Sequence, residues 1–204
     1  MRKARDGEDT KQRVLSAAQA LFAEKGFNGT SLAEISRRCG ISDGLILHHY
    51  HNKQNLYNAV LEMTAGEYAD VLAQARAAAD SPQAVMQQTL LAAFNYWKSD
   101  DTYQRLSQWA ALEGQADFAQ KEAELTAGLA EDVRRLQAQG LISSQASPAV
   151  LLSMVIGPIH FWLRHCALFK TALHLAESED ELDRQFLAQL MDLVTGLSHE
   201  NQGA

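Results

Sequence analysis

The sequence predicts an all-α protein, with a unit of short helices at the amino-terminus followed by a larger helical body. Three observations carry this prediction. Apolar residues recur at spacings of three and four throughout the chain, and no stretch alternates as a strand would. Helix starts carry capping signals at Ser31-Leu-Ala-Glu34, Ser81-Pro82 and Ser147-Pro148. Helix ends are marked by Gly26, Gly40 and Gly140, where a left-handed residue would sit.

The first helix is expected from about Thr10 to Lys25, with Val14, Ala18, Leu21 and Phe22 on one face. Asn28-Gly29 then signals a turn. The second helix opens at Ser31 with a capping box to Glu34, turns Leu32, Ile35 and Cys39 inward, and stops at Gly40. Ser36 is small where two helices would cross closely. Ser42 can cap a third short helix containing Leu45, Ile46 and His49. Asn52 can cap a fourth, whose apolar face uses Leu56, Tyr57, Val60, Leu61 and Met63. Two short helices around Gly40-Ile41, with a longer one on each side, make a helix-turn-helix pattern over about residues 31–50.

The body continues with a helix from Ser81-Pro82 to about Ser99, and another from Asp100-Asp101-Thr102 that contains Leu106, Trp109 and Leu112. A long helix follows over about Asp117 to Gln139. Ser147-Pro148 starts one reaching about Ala172, which Gly157-Pro158 should kink. The last is expected from about Ser178 to Leu197. The Ser147 helix is apolar almost all round, so it needs cover on most sides. Pairing with a symmetry mate, together with the last helix, would supply that cover.

Composition narrows the function. The chain has 204 residues, 47% hydrophobic and 21% charged, which suits a folded globular protein. No uninterrupted apolar run reaches the roughly 18–20 residues of a bilayer span, so no membrane association is expected. The start, MRKARDGEDTKQR, is basic but lacks the apolar stretch of a secretory signal. Cys39 and Cys166 are far apart, as in a cytoplasmic protein with reduced thiols. Charge is uneven. Residues 1–53 hold nine Lys/Arg against six Asp/Glu, while residues 54–204 hold nine against 19. A mildly basic head on an acidic body suits a head that meets phosphate.

The stretch SDGLILHHYHNK, residues 42–53, concentrates the remaining chemistry. Its histidines, His48, His49 and His51, lie one and two residues apart, whereas helical metal ligands need three or four. No nucleophile–base grouping and no phosphate loop after a strand can be found. Neither a metal, a cofactor nor a catalytic residue is expected.

The stretch KQRVLSAAQALFAEKGFNGTSLAEISRRCGISDGLILHHYHNKQNLYNAVL resembles the amino-terminal domain of the TetR family of bacterial transcriptional regulators. LFAEKGF, the Thr30-Ser31 helix start, CGIS and Lys53 fall at the family's spacing, over about residues 9–60. The resemblance implies a helix-turn-helix DNA-binding domain over 8–55 and a ligand-binding and dimerisation domain over 56–204. It implies a homodimer that binds a pseudo-palindromic operator, most simply as a repressor, and is released by an unidentified small molecule.

The residues expected at DNA are Thr30, Ser31, Arg37, Asp43, Gly44, Leu45, His48, His49 and Lys53, with Arg38 beside Arg37. Lys53 opposes the positive end of its own helix dipole, which makes sense if a phosphate completes the site. Gly44 permits close approach, and Leu45 can meet a thymine methyl. Leu47 and Tyr50 depart from the family's usual Tyr and Phe, and Asp43 is acidic where a basic or neutral residue is common. A pocket in the body would draw on Trp97, Tyr103, Trp109, Phe118, His160 and Arg164, the last needing an internal or ligand anion. The rival reading is a helical ligand-binding or protein-interaction module that has lost specific DNA binding.

Overall fold

The computed structural model describes residues 2–196, with the side chains of 7–115, 120 and 122–194. Among the described residues the chain is helical, with no strand. The helices are α1 (Arg2–Lys25), α2 (Leu32–Cys39), α3 (Asp43–Tyr50), α4 (Lys53–Ala78), α5 (Pro82–Ser99), α6 (Thr102–Leu112), α7 (Ala116–Ala138), α8 (Pro148–Ala172) and α9 (Glu179–Gly196). The expected boundaries recur within a few residues, except that α1 starts well before Thr10. Caps explain several of them. The Ser81, Asn52 and Ser178 side chains accept the amides of Ala84 (3.2 Å), Asn55 (2.7 Å) and Glu181 (3.2 Å).

The chain divides into two compact units, and α6 belongs with the head. One unit contains residues 1–70 and 99–124, the other 71–98 and 125–204. The first is thus larger than residues 8–55 alone. Its core gathers Val14, Ala18 and Phe22 of α1, Ile35 of α2, Ile46 of α3, Leu56, Tyr57 and Val60 of α4, and Leu106 of α6, all fully buried. Tyr57 meets Phe22 edge-on at 4.8 Å and Phe27 at 5.1 Å. Ile35 and Cys39 on α2 and Ile46 on α3 face inward and fix the rotation of the short helices.

The second unit packs Leu136, Ile142 and Leu151 with Met86, Val133 and Val194. The Gln137 amide closes the α7–α8 connection by donating to the Ser143 and Ala146 carbonyls, both at 2.7 Å. Trp162 of α8 stacks on Phe186 of α9 at 4.8 Å and donates to Asp183 at 2.6 Å. Asp183 and Asp180 both pair with Lys98 of α5, whose pKa they raise. This network ties α5, α8 and α9 together.

α8 runs as one helix through Pro158. Only Leu151, Ile159 and Cys166 are buried along it, while Val150, Met154, Phe161 and Leu168 stay more than half exposed. Although no uninterrupted apolar run is long enough, α8 as a whole, with a mean hydropathy of 1.3 over 18 residues, has the length and composition of a bilayer span. It also carries His160, Arg164, His165 and Lys170.

Two left-handed glycines separate backbone strain from packing. At Gly26 (φ +73°) an added Cβ would lie 2.8 Å from both the Trp109 ring and the Glu113 carboxylate, whereas at Gly140 (φ +70°) it meets nothing within 4 Å. Gly140→Ala should cost about 1 kcal/mol through the backbone alone. Gly26→Ala should cost about 3 kcal/mol, because overpacking adds to the strain. Urea unfolding of the two variants checks this, and equal losses would remove the packing argument.

Candidate nucleic-acid interface

The two short helices are fixed at each end by local chemistry. Ser31 sits in extended backbone before α2; its hydroxyl accepts from the Glu34 amide (3.3 Å), and the Glu34 carboxylate accepts from the Ser31 amide (3.0 Å). Lys25 binds the same carboxylate at 2.9 Å, and these bonds hold its pKa down at about 2. Gly40 then takes a left-handed conformation, and its amide and that of Ile41 both donate to the Ser36 carbonyl at 2.9 and 3.3 Å. Arg13 of α1 donates to the Cys39 carbonyl at 2.6 Å, securing the end of α2. Ser42 caps α3 through the Leu45 amide, and Ile46 pins it to the core. His51, a non-glycine residue at φ +66°, ends α3, and its amide donates to Leu47.

Around Ile46 most of α3 faces outward. Asp43, Gly44, Leu45, Leu47 and His48 are exposed, His49 and Tyr50 half-buried. Leu45, expected at DNA, is 40% exposed. His48 and His49 have ring centroids 5.4 Å apart. Tyr50 donates to the Lys11 carbonyl at 3.4 Å. Arg37 and Arg38 are exposed at the end of α2, with Arg38 at 3.6 Å from Glu24.

Two expected DNA contacts are occupied within the protein. Thr30 is 2% exposed, and its hydroxyl donates to the Gly26 (2.8 Å) and Leu21 (3.2 Å) carbonyls, so its side chain is not available to a phosphate. Lys53 donates to the Phe27 (2.8 Å) and Thr30 (2.9 Å) carbonyls and lies 4.1 Å from the Phe27 ring centre. The unfavourable position of this lysine against its own helix dipole is offset by these carbonyls and the ring.

Sequence reasoning missed the acidic counterpart of Lys53. Glu113, at the end of α6, accepts the amides of Phe27 (2.8 Å) and Asn28 (2.9 Å) with its two oxygens. Arg105 of α6 donates to the Ala23 carbonyl at 2.9 Å. Neither partner is near in sequence, and only the Asn28-Gly29 turn signalled that loose amides needed an acceptor.

Of the residues expected to line a pocket, Trp97, His160 and Arg164 belong to the second unit and Tyr103 and Trp109 to the first. Trp97 and His160 meet edge-on at 4.3 Å in the second unit. Tyr103 contacts Tyr68 at 4.9 Å in the first unit, where Trp109 covers Gly26. The Phe118 side chain lies outside the described residues. Arg164 is exposed rather than enclosed in apolar surroundings, so it needs no internal anion to offset burial. Burial lowers the His160 pKa, and Arg164 adds to the effect.

Replacing Lys53 with Met keeps the chain over Phe27 and removes both hydrogen bonds. Lys53→Met should lower unfolding stability by about 1–3 kcal/mol. A lysine serving DNA alone would leave the urea midpoint of the free protein unchanged.

Residues 14–60 match the family model of bacterial regulatory proteins, tetR family, and residues 90–194 match that of the tetracyclin repressor-like C-terminal domain. The HTH-type transcriptional regulator TtgR of Pseudomonas putida is 27% identical over 175 residues, covering 78% of this chain and 82% of that protein. The HTH-type transcriptional repressor BepR of Brucella suis is 23% identical, covering 83% and 88%. The crystal structure of a TetR family transcription regulator from Marinobacter aquaeolei superimposes with a TM-score of 0.76 at 18% identity, over 95% of this chain and 98% of the other. With both family domains in order and the helix-turn-helix intact, the chain belongs to the TetR family of DNA-binding transcriptional regulators and is not an enzyme.

Proposed function

We propose that this regulator is a cytoplasmic homodimeric repressor that binds a pseudo-palindromic operator through α2 and α3 and is released by a small molecule. One observation carries the operator reading. α3 is held by one buried residue, Ile46, and turns Gly44, Leu45, Leu47 and His48 outward at the place a helix enters the major groove. Ser31, Arg37, Asp43, His49 and the third N–H of Lys53 surround that face as further contacts. Thr30 acts only from within. The named repressor among the relatives supports the sign of regulation. We divide the chain functionally at about residue 55, with α6 of the body clasping the head.

The dimer reading rests on α8. Val150, Met154, Phe161 and Leu168 repeat every four or seven residues and lie 52–60% exposed, and Leu193 of α9 adds another exposed leucine. A second copy burying this stripe in a four-helix arrangement accounts for the apolar character of α8 without a bilayer. The effector reading rests on polar atoms in an aromatic interior. Among the described residues, the Thr89 hydroxyl of α5 and the His160 Nε2 of α8 are buried with no hydrogen-bond partner. Each such atom costs about 1–3 kcal/mol unless a bound molecule satisfies it. A ligand reaching α5 and α8 would favour one dimer geometry over the other, coupling the body to the heads.

The test uses the full-length protein, a fluorescent fragment of its own upstream DNA and excess nonspecific competitor across a salt series. Binding should resist competitor and weaken steeply with salt. Phe161→Glu should convert the dimer to a folded monomer in sedimentation and weaken specific binding at least tenfold, because one head makes half the contacts. A Phe161→Glu protein that stays dimeric would remove the α8 interface.

A further inference from the structure

We propose that α3 reads the operator largely through pyrimidine methyl groups, with Leu45 and Leu47 as the specificity-determining residues on its two flanks. The inference rests on the operator reading above. Ile46 is fully buried and therefore marks the inward direction of the helix. At about 100° per residue, Leu45 and Leu47 lie on opposite flanks, while Gly44 and His48 lie about 160° from Ile46, at the centre of the outer face. Leu45 is 40% exposed and Leu47 39%, so neither is committed to the core. The centre between them is low, because Gly44 has no side chain and nothing stands within 4 Å of where one would begin. The helix therefore presents a notch at Gly44 between two apolar flanks, with His48 one turn further on.

In the major groove, base edges offer hydrogen-bond donors and acceptors and one apolar group, the thymine 5-methyl. A leucine pressed against an amino or carbonyl edge strands that group without a partner, whereas against a methyl it gains burial on both sides. Gly44 allows the helix to sit deep enough for both flanks to reach. His48 is the exposed polar side chain left at the centre to address a hydrogen-bonding edge. The half-site should thus contain thymines at two positions, one under each leucine. Loss of a hydrogen-bonding tyrosine at position 47 then changes how sequence is read without abolishing it.

The test starts from duplexes that the full-length protein selects from a random pool. The enriched duplex is synthesised with deoxyuridine in place of each thymidine in turn, which removes the methyl and nothing else, and affinity is measured by anisotropy at fixed salt. Uracil should weaken binding about fourfold at each of two half-site positions. Leu45→Ala should abolish the uracil penalty at one position and Leu47→Ala at the other, with nonspecific affinity and helix content unchanged. Both side chains are exposed, so these variants should fold. An enriched duplex without thymine in its half-site would overturn the proposal. So would equal affinity for thymine and uracil throughout, or unchanged penalties in both variants. A pool in which nothing is enriched would overturn the operator reading itself.

Discussion

Five residues between α1 and α2, Gly26 to Thr30, carry a carboxylate on one side and an ammonium on the other, and the placement of both short helices follows from them. Glu113 takes the amides of Phe27 and Asn28, Lys53 takes the carbonyls of Phe27 and Thr30, and the Thr30 hydroxyl closes back on Gly26. A turn that leaves a helix abruptly leaves backbone groups unpaired, and each costs free energy unless something binds it. Charged partners make the strongest of such bonds. Gly26 supplies the left-handed conformation that lets α1 stop, and it lets Trp109 lie directly against the backbone. Only Ser31 separates this turn from α2, so the direction of α2 is inherited from it.

The same turn joins the amino-terminal helices to α6 within one compact unit. Its anionic clasp comes from α6, which is separated from the head in sequence by α4 and α5. Arg105 holds α1 at the Ala23 carbonyl, and Glu113 holds the turn at the successive amides of Phe27 and Asn28. A change at α6 therefore reaches α2 through hydrogen bonds to backbone rather than through loose side-chain contact. At the far end of α2, Arg13 performs a similar service at the Cys39 carbonyl. The surface that remains, α3 with its two leucines and a central histidine, contributes only Ile46 to the buried core.

Much of this was legible in the sequence. Capping boxes, left-handed glycines and three-to-four spacing depend on neighbours within one turn, so Ser31–Glu34, Gly40, Ser42 and the α8 boundaries could be read directly. The rotation of α3 was harder. In eight residues with apolar side chains at 45, 46 and 47, the pattern has no single face, and burial in the folded head chose Ile46. Long-range partners were not legible. Nothing near Lys53 indicated that it would turn inward to two carbonyls, nor did α6 announce Glu113 as their counterpart. Thr30 is similar to Ser31 in chemistry and adjacent to it, yet one hydroxyl is buried and the other caps an exposed helix start. In the body, aromatic residues at helical spacing did not reveal that Trp97 and His160 would meet while Tyr103 and Trp109 joined the other unit.

The most direct test of this account is amide hydrogen exchange, followed by NMR, across residues 26–50 of the full-length protein and of Glu113→Ala. If the clasped turn positions the head, removing the carboxylate will speed exchange at Phe27 and Asn28 and also through α2 and α3, which the turn carries. Faster exchange confined to Phe27 and Asn28, or none at all, would contradict it. The helix-turn-helix would then be held by its core and caps alone, with α6 only packed beside it.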